Sequence, residues 1–174
     1  MTYAFYIASL IAVVATLRVV TGTHAIHALL YFVTSLLAVA VIFLTLGAPF
    51  AAALEVIIYA GAVMVLFIFV VMMLSPGPRS ARRERQWLDP GTWVGPAVLA
   101  AVLLAELVWI LAAGGAGGEA AGRVAPKEVG VALFGPYLLA VEMASVLLLA
   151  GLVGACHLGR NLPVEGRQGE GEAP

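Results

Sequence analysis

Charged residues are scarce in this chain of 174 residues, because Asp, Glu, Lys and Arg together make up 11% of it. A typical soluble domain contains about 25%. Hydrophobic residues make up 63%, and the mean hydropathy is +1.06. These values disfavour a water-soluble fold and indicate a polytopic membrane protein. The net charge of −1 is uninformative about partners, and the sequence has no basic patch that would bind nucleic acid.

Residues that would build a catalytic or redox centre are also few. The single cysteine, Cys156, can form neither an internal disulfide nor a cysteine-rich metal site, and we interpret it as a small buried hydrophobe. The sequence has no phosphate-binding loop, no dinucleotide fingerprint and no cysteine cluster for iron–sulfur ligation. His24 and His27 have no further ligand nearby in sequence, so no metal site is predicted. We expect no catalytic residue and no cofactor on this chain.

Five apolar runs are long enough to cross a bilayer, which takes about 20 helical residues. They are Tyr3–Val20, Ala25–Leu46, Ala51–Leu74, Thr92–Ala113 and Leu133–Cys156. Each is predicted to be an α-helix, because lipid offers no partner to unpaired backbone groups. The sequence therefore predicts an all-α membrane domain with five transmembrane helices over residues 1–158. A polar tail follows over residues 159–174, and the Gly-rich loop Gly114–Gly130 is predicted to be mobile.

The distribution of Lys and Arg predicts the orientation of these spans. The loop after the third run carries four arginines, the tail carries two, and the connection between the first and second runs is preceded by one. In that order they are Arg79, Arg82, Arg83, Arg85, Arg160, Arg167 and Arg18. The opposite side has only Arg123 and Lys127. The positive-inside rule then places the N-terminus outside and the C-terminus in the cytoplasm.

Three acids fall inside the predicted spans. An ionised carboxylate at mid-bilayer costs about 2.5–3.5 kcal/mol, so each acid needs a partner, water or a protein-facing position. Glu55 lies within a turn of its helix end and is either a functional group or a solvated end residue. Glu106 is interpreted as a surface-seeking acid, with a functional group as the alternative. Glu142, nearer the centre of the last run, is expected to bond a group on a neighbouring chain. Small residues spaced four apart in that run also favour a close helix neighbour.

The third run combines polar and small residues. Glu55 and Tyr59 are four residues apart and so share a helix face. Tyr59 needs a hydrogen bond, because an unpaired buried polar group costs about 1–3 kcal/mol. Gly61, between Ala60 and Ala62, indicates either tight helix packing or a local irregularity such as a one-residue π-bulge. We expect any irregularity between Tyr59 and Phe67.

Three stretches resemble a known family. "IIYAGAVMVLFIFVVMML" (Ile57–Leu74) closely resembles the third span of the subunit J family of NADH-quinone oxidoreductase, the counterpart of mitochondrial chain 6. "LFGPYLLAVEMASVLLLAGLVGA" (Leu133–Ala155) resembles the family's last span, and "HALL" (His27–Leu30) the start of its second. The number of helices and their topology also suit this family.

The resemblance implies a role for the third span in respiratory complex I. In the family this helix is understood to switch between α and π-bulged windings beside the quinone cavity, which connects or breaks a water path. The role maps onto Tyr59, Gly61 and the following Ala62–Phe67, which includes Val65. Glu55 and Glu142 match acids often found in the family. The residue before Glu142 is often bulky or proline in relatives and is valine here.

The resemblance also implies what surrounds the chain. FMN, iron–sulfur clusters and quinone are expected on partner subunits, and this chain is expected to be a non-redox subunit of the enzyme. Its expected partners are the quinone-site subunit, the small three-helix subunits and the antiporter-like subunits, in a bacterial cytoplasmic (inner) membrane. The leading hypothesis is a subunit that couples quinone reduction to proton pumping. The alternatives are a structural scaffold of that arm or of a multi-subunit cation/proton antiporter, and a stand-alone small transporter.

Overall fold

The described part of the chain is mostly helical, with short turns between helices. The computed structural model describes residues 2–22, 25–73, 90–112 and 124–160, and every regular element within these ranges is helical. The elements are α1 (Thr2–Thr21), α2 (Ala25–Thr45), α3 (Pro49–Leu54), a π-helical segment (Glu55–Val63), α4 (Met64–Met73), α5 (Pro90–Ala112), α6 (Pro126–Phe134) and α7 (Leu138–Arg160). A helix pairs its backbone groups internally, which suits apolar runs in lipid. The prediction of an all-α fold is confirmed.

Five of the helical stretches are long and apolar enough to cross a membrane. They are Thr2–Thr21, His27–Thr45, Pro49–Met73, Trp93–Ala112 and Leu138–Gly159. Their number and order match the prediction. The third span starts two residues earlier than expected, because Pro49 stands in its first turn, where a missing N–H costs little. The orientation of the termini stays a prediction.

The last span begins later than the sequence predicted. Gly135, Pro136 and Tyr137 form a turn that separates α6 from α7. Within this turn the Tyr137 amide donates to the Ala132 carbonyl oxygen at 3.1 Å. Pro136 lacks an amide hydrogen and disfavours helical backbone at the residue before it. The proline therefore stands between the two helices instead of inside the first turn of the span.

The chain divides into two compact units. Met1–Ala125 holds α1 to α5, and Pro126–Pro174 holds α6 and α7. The predicted single membrane domain over residues 1–158 stays a prediction. Most of the loop after the third span, residues 114–123 of the Gly-rich loop and tail residues 161–174 lie outside the described residues, as do their arginines. The end of the loop that the sequence predicted to be mobile, residues 126–130, is the first half of α6.

The core of the first unit lies where α1, α2 and α5 meet. Its buried side chains come in pairs from the three helices: Ala8, Ile11, Ala38, Val41, Leu103 and Ile110. A polar contact sits in the same packing, because the hydroxyl oxygens of Thr16 and Ser35 lie 2.8 Å apart. Helices in lipid associate through close packing and hydrogen bonds of this kind. The core therefore fixes α5 against α1 and α2.

A notch in α5 lets α2 approach closely. A Cβ atom built on Gly95 would collide with the hydroxyl group of Tyr31 and lie 3.2 Å from its Cζ atom. Glycine removes that atom, so the tyrosine side chain fits against the α5 backbone. The contact fixes the two helices at one end of their packing, while the apolar core fixes them further along.

A tight turn joins α2 to the third span. Gly47 has φ 79°, a backbone conformation that side chains with a Cβ rarely adopt. The Ala48 amide closes the end of α2 by donating to the Phe43 carbonyl oxygen at 2.9 Å. The Gly47 carbonyl oxygen in turn accepts from the Val124 amide at 3.2 Å. The third span therefore starts directly from the end of α2 and stays in contact with it.

Candidate functional site

The third span changes its winding where its polar and small residues lie. It is α-helical up to Leu54, π-helical over Glu55–Val63 and α-helical again from Met64. At the far end the Met64 amide donates to the carbonyl oxygens of Tyr59 and Gly61. The bond to Tyr59 reaches back five residues, which is the defining contact of a π-helix. The sequence expected an irregularity at Tyr59–Phe67, so the π segment overlaps that window but begins and ends earlier.

Gly61 fits the π winding because it has no side chain. A Cβ atom placed there would lie 3.2 Å from the carbonyl oxygen of Val56, five residues back. Contacts of that length are tighter than nine in ten that real Cβ atoms make. The neighbour is backbone, so it can retreat only by distorting the helix. The sequence left two interpretations of Gly61, tight helix packing or a local irregularity of the helix. The structure places Gly61 inside such an irregularity.

The two polar side chains of the segment differ in their surroundings. Glu55 opens the π segment and is half-buried, while Tyr59 is 53% exposed. Glu55 also belongs to the preceding turn, because its amide donates to the carbonyl oxygens of Ala51 and Ala52. Tyr59 therefore presents its phenol at the surface of this chain. The hydrogen bond that the sequence expected for it stays a prediction.

Beyond the segment, α4 turns one side inward. Met64 is fully buried, whereas Val65 is 63% exposed. The side chains from Leu66 to Val70 are exposed as well. Of the predicted gating residues, Tyr59 and Val65 therefore lie on the chain's surface, and Met64 anchors the helix between them. The sequence did not single out Met64.

An apolar cavity lies beside the π segment. Its volume is about 630 Å³, and it opens between α2, the third span and α5. Its lining residues are Leu37, Ala40, Val41, Leu44, Pro49, Ala52, Ala53, Val56, Ile57, Ala100, Leu103, Leu104 and Leu107. Two π-segment residues, Val56 and Ile57, contribute to it, whereas Glu55, Tyr59 and Gly61 do not. The polar members of the candidate site thus lie away from this cavity.

Glu106 is the acid that the structure encloses. Both of its carboxylate oxygens are buried, and neither has a hydrogen-bond partner in the described part of the chain. It lies on α5 three residues after Leu103 and four before Ile110, and both of these belong to the apolar core. Residues at these spacings share a helix face. The interpretation as a surface-seeking acid is therefore wrong, since the carboxyl group points into the packing of α5.

Comparison with known proteins decides the family. The model of the NADH-ubiquinone/plastoquinone oxidoreductase chain 6 family matches residues 15–158. The chain belongs to this family. The chain 6 match covers both units and all the candidate residues, so the resemblance predicted from the sequence is confirmed.

Three proteins similar to this chain share one name. A Pseudomonas aeruginosa protein called NADH-quinone oxidoreductase subunit J is 59% identical over 161 residues, covering 92% of this chain and 97% of the relative. The Escherichia coli K12 protein of the same name is 55% identical over 170 residues, covering 98% and 90%. The one from Buchnera aphidicola of Schizaphis graminum is 44% identical over 160 residues, covering 92% and 98%. The similarity covers nine-tenths or more of each of these relatives.

Glu142 is the last of the predicted site residues and lies in the second unit. It is the fifth residue of α7 and is exposed. The hydroxyl group of Ser145 donates to its backbone carbonyl oxygen at 2.7 Å. Because α7 starts at Leu138, Glu142 is close to the helix end and not near the centre of the span, as the sequence suggested. Cys156 further along α7 is exposed, so its interpretation as a buried hydrophobe is wrong.

Proposed function

We propose that this chain is a membrane-arm subunit of a bacterial NADH-quinone oxidoreductase and helps couple quinone reduction to proton translocation. It works in the cytoplasmic membrane with its N-terminus outside and its C-terminus inside. FMN, the iron–sulfur clusters and quinone belong to partner subunits, and this chain adds no redox centre. Its neighbours are the quinone-site subunit, the small three-helix subunits and the antiporter-like subunits. Membership of the chain 6 family and the names of its relatives support this assignment.

The observation that carries the coupling role is the π segment. It occupies nine residues of an otherwise α-helical span and contains both Tyr59 and Gly61. π-helical turns are rare overall, and those that occur are often at functional sites. When such a span changes from π to α winding, the residues that follow turn about the helix axis. The turn is about 100° for each extra residue that the π winding had accommodated. Such a rotation moves Val65 and its neighbours relative to any helix packed beside them.

The polar side chains give that movement a consequence for protons. The phenol of Tyr59 can both donate and accept a hydrogen bond, so it can extend a chain of water molecules without ionising. Glu55 lies one turn earlier and offers a carboxyl group to the same chain of water molecules. Glu142, on the last span, forms a hydrogen bond with a group on a partner subunit. In this mechanism the π winding of the third span determines whether the water chain is continuous.

Proton translocation per electron tests the role directly. Tyr59→Phe removes the hydroxyl group, and Gly61→Val crowds the π winding. Both variants should assemble into the oxidoreductase and oxidise NADH, but should translocate fewer protons per electron pair in sealed vesicles. Val98→Ala, at an exposed position on α5, is the control. Wild-type stoichiometry in both variants would leave the chain a structural scaffold.

The assignment to the complex has a separate test. A tag on the tail, followed by mild solubilisation and purification, should retain a large particle with flavin, iron–sulfur signals and NADH:quinone turnover. A small colourless particle would contradict the oxidoreductase assignment and favour a stand-alone transporter. A large particle without flavin would favour an antiporter assembly.

A further inference from the structure

Glu106 is a half-buried acid with two buried carboxylate oxygens, and the proposed coupling role does not use it. It lies on α5, which packs against α1 and α2. Both carboxylate oxygens are shielded by this chain's own atoms, with no hydrogen-bond partner among the described residues. An ionised carboxylate enclosed in this way is so unfavourable that it must be paired or neutral. The charged and titratable groups on the surrounding helices determine which of the two applies.

Titratable and charged groups on the neighbouring helices do not reach Glu106. On α2 these are His27 and Tyr31, and Tyr31 packs against Gly95, which lies eleven residues from Glu106, or about 16 Å along α5. Arg18 of α1 lines the same small pocket as Tyr31 and Gly95, at that distant end. The other two titratable groups of α1 lie on its surface: Tyr3 and Tyr6, 85% and 65% exposed.

We propose that Glu106 is a proton-binding site of the membrane interior, in which a bound proton takes the place of an ionic partner. The neutral acid fits the packing because Leu103 and Ile110, on the same face of α5, belong to the apolar core. The proton can leave only when α5 separates from α1 and α2 enough to admit water or a base. The site lies on α5 and not on the third span, so it does not depend on the proposed coupling role.

Reaction with a membrane-permeant dialkylcarbodiimide tests this site, because such reagents add to protonated acids. The acid proton passes to a carbodiimide nitrogen while the carboxyl oxygen bonds to the central carbon. The adduct then rearranges to a stable N-acylurea, so the whole reagent is added and nothing leaves. The assembled complex in its native membrane is treated at about pH 8, where exposed carboxyl groups are ionised. Peptide mass spectrometry then locates the adduct.

We expect at least ten-fold more adduct at Glu106 than at Glu128, an exposed acid of α6 outside the spans. Glu106→Gln should abolish the adduct on that peptide. Equal incorporation at the two acids would overturn the proposal. So would the absence of an adduct at Glu106 when the same peptide reacts in the unfolded, acidified chain.

Two substitutions distinguish a bound proton from a hidden ion pair. Glu106→Gln and Glu106→Met both keep a neutral side chain of similar length. If the acid is protonated, the amount of assembled complex should stay within two-fold of wild type for both variants. If a basic group outside the described residues pairs with it, both variants strand that charge, and assembly should fall at least ten-fold, which would overturn the proposal.

Discussion

Gly61→Ala should shift the third span from π to α winding. In the π form the new Cβ atom would lie 3.2 Å from the Val56 carbonyl oxygen, so the backbone must give by a few tenths of an ångström. The low end of measured overpacking costs, about 1 kcal/mol, applies to so small a displacement. The intrinsic preference of alanine over glycine compares a helix with the unfolded chain and so does not separate the two windings. The crowding alone therefore favours the α form by about 1 kcal/mol, a roughly 5-fold change in the π:α ratio.

A thiol at position 64 reports this shift. Met64 is fully buried in the π form. A change to α winding turns the following helix by about 100° for each extra residue that the π winding had accommodated. In a Cys156→Ala background, the thiol introduced by Met64→Cys should therefore react at least five-fold faster with a membrane-permeant maleimide when Gly61→Ala is also present. Gly154→Ala is the matched control, because its Cβ atom would meet nothing within 4 Å. An unchanged rate with Gly61→Ala would refute the reasoning.

Three further predictions concern packing, and unfolding of the purified chain in mixed detergent measures each of them. Gly95→Ala should lower the unfolding free energy by about 1–3 kcal/mol, because the Tyr31 hydroxyl group must move, and Tyr31→Phe should recover part of that loss; no recovery would contradict the contact. Ser35→Ala should cost about 0.6 kcal/mol by removing the 2.8 Å hydrogen bond with Thr16, and an unchanged unfolding free energy would argue against that bond. Gly47→Ala should cost about 1–2 kcal/mol because of its φ of 79°, and a neutral result would mean that the turn can adopt another conformation.

The spans were predictable because hydropathy and length alone define them. The composition of each run required a helix in lipid, and all five appear in order. The beginning of the last span was not predictable from hydropathy, because Leu133 and Phe134 are as apolar as the residues that follow. Pro136 carried the signal, since proline lacks the amide that a continuous helix would use.

The candidate site was predictable in kind but not in detail. Gly61 between two alanines indicated a place where winding can change, but the end points depend on which carbonyl each amide bonds. Hydrogen-bond register of that sort leaves no trace in composition. Glu106 was misinterpreted because hydropathy does not show which side of α5 faces inward. Its spacing from Leu99, Leu103 and Ile110 is a core-facing pattern and could have indicated burial.

The apolar cavity beside the π segment has an electrical consequence. A hollow of about 630 Å³ without polar lining side chains offers water no partners and stays dry or fills with hydrocarbon. Val56 and Ile57 therefore face an insulator, across which a charge is neither screened nor hydrated. The proposed proton path along the third span would therefore run on the side that carries Glu55 and Tyr59, and the apolar cavity would insulate it on the side of Val56 and Ile57.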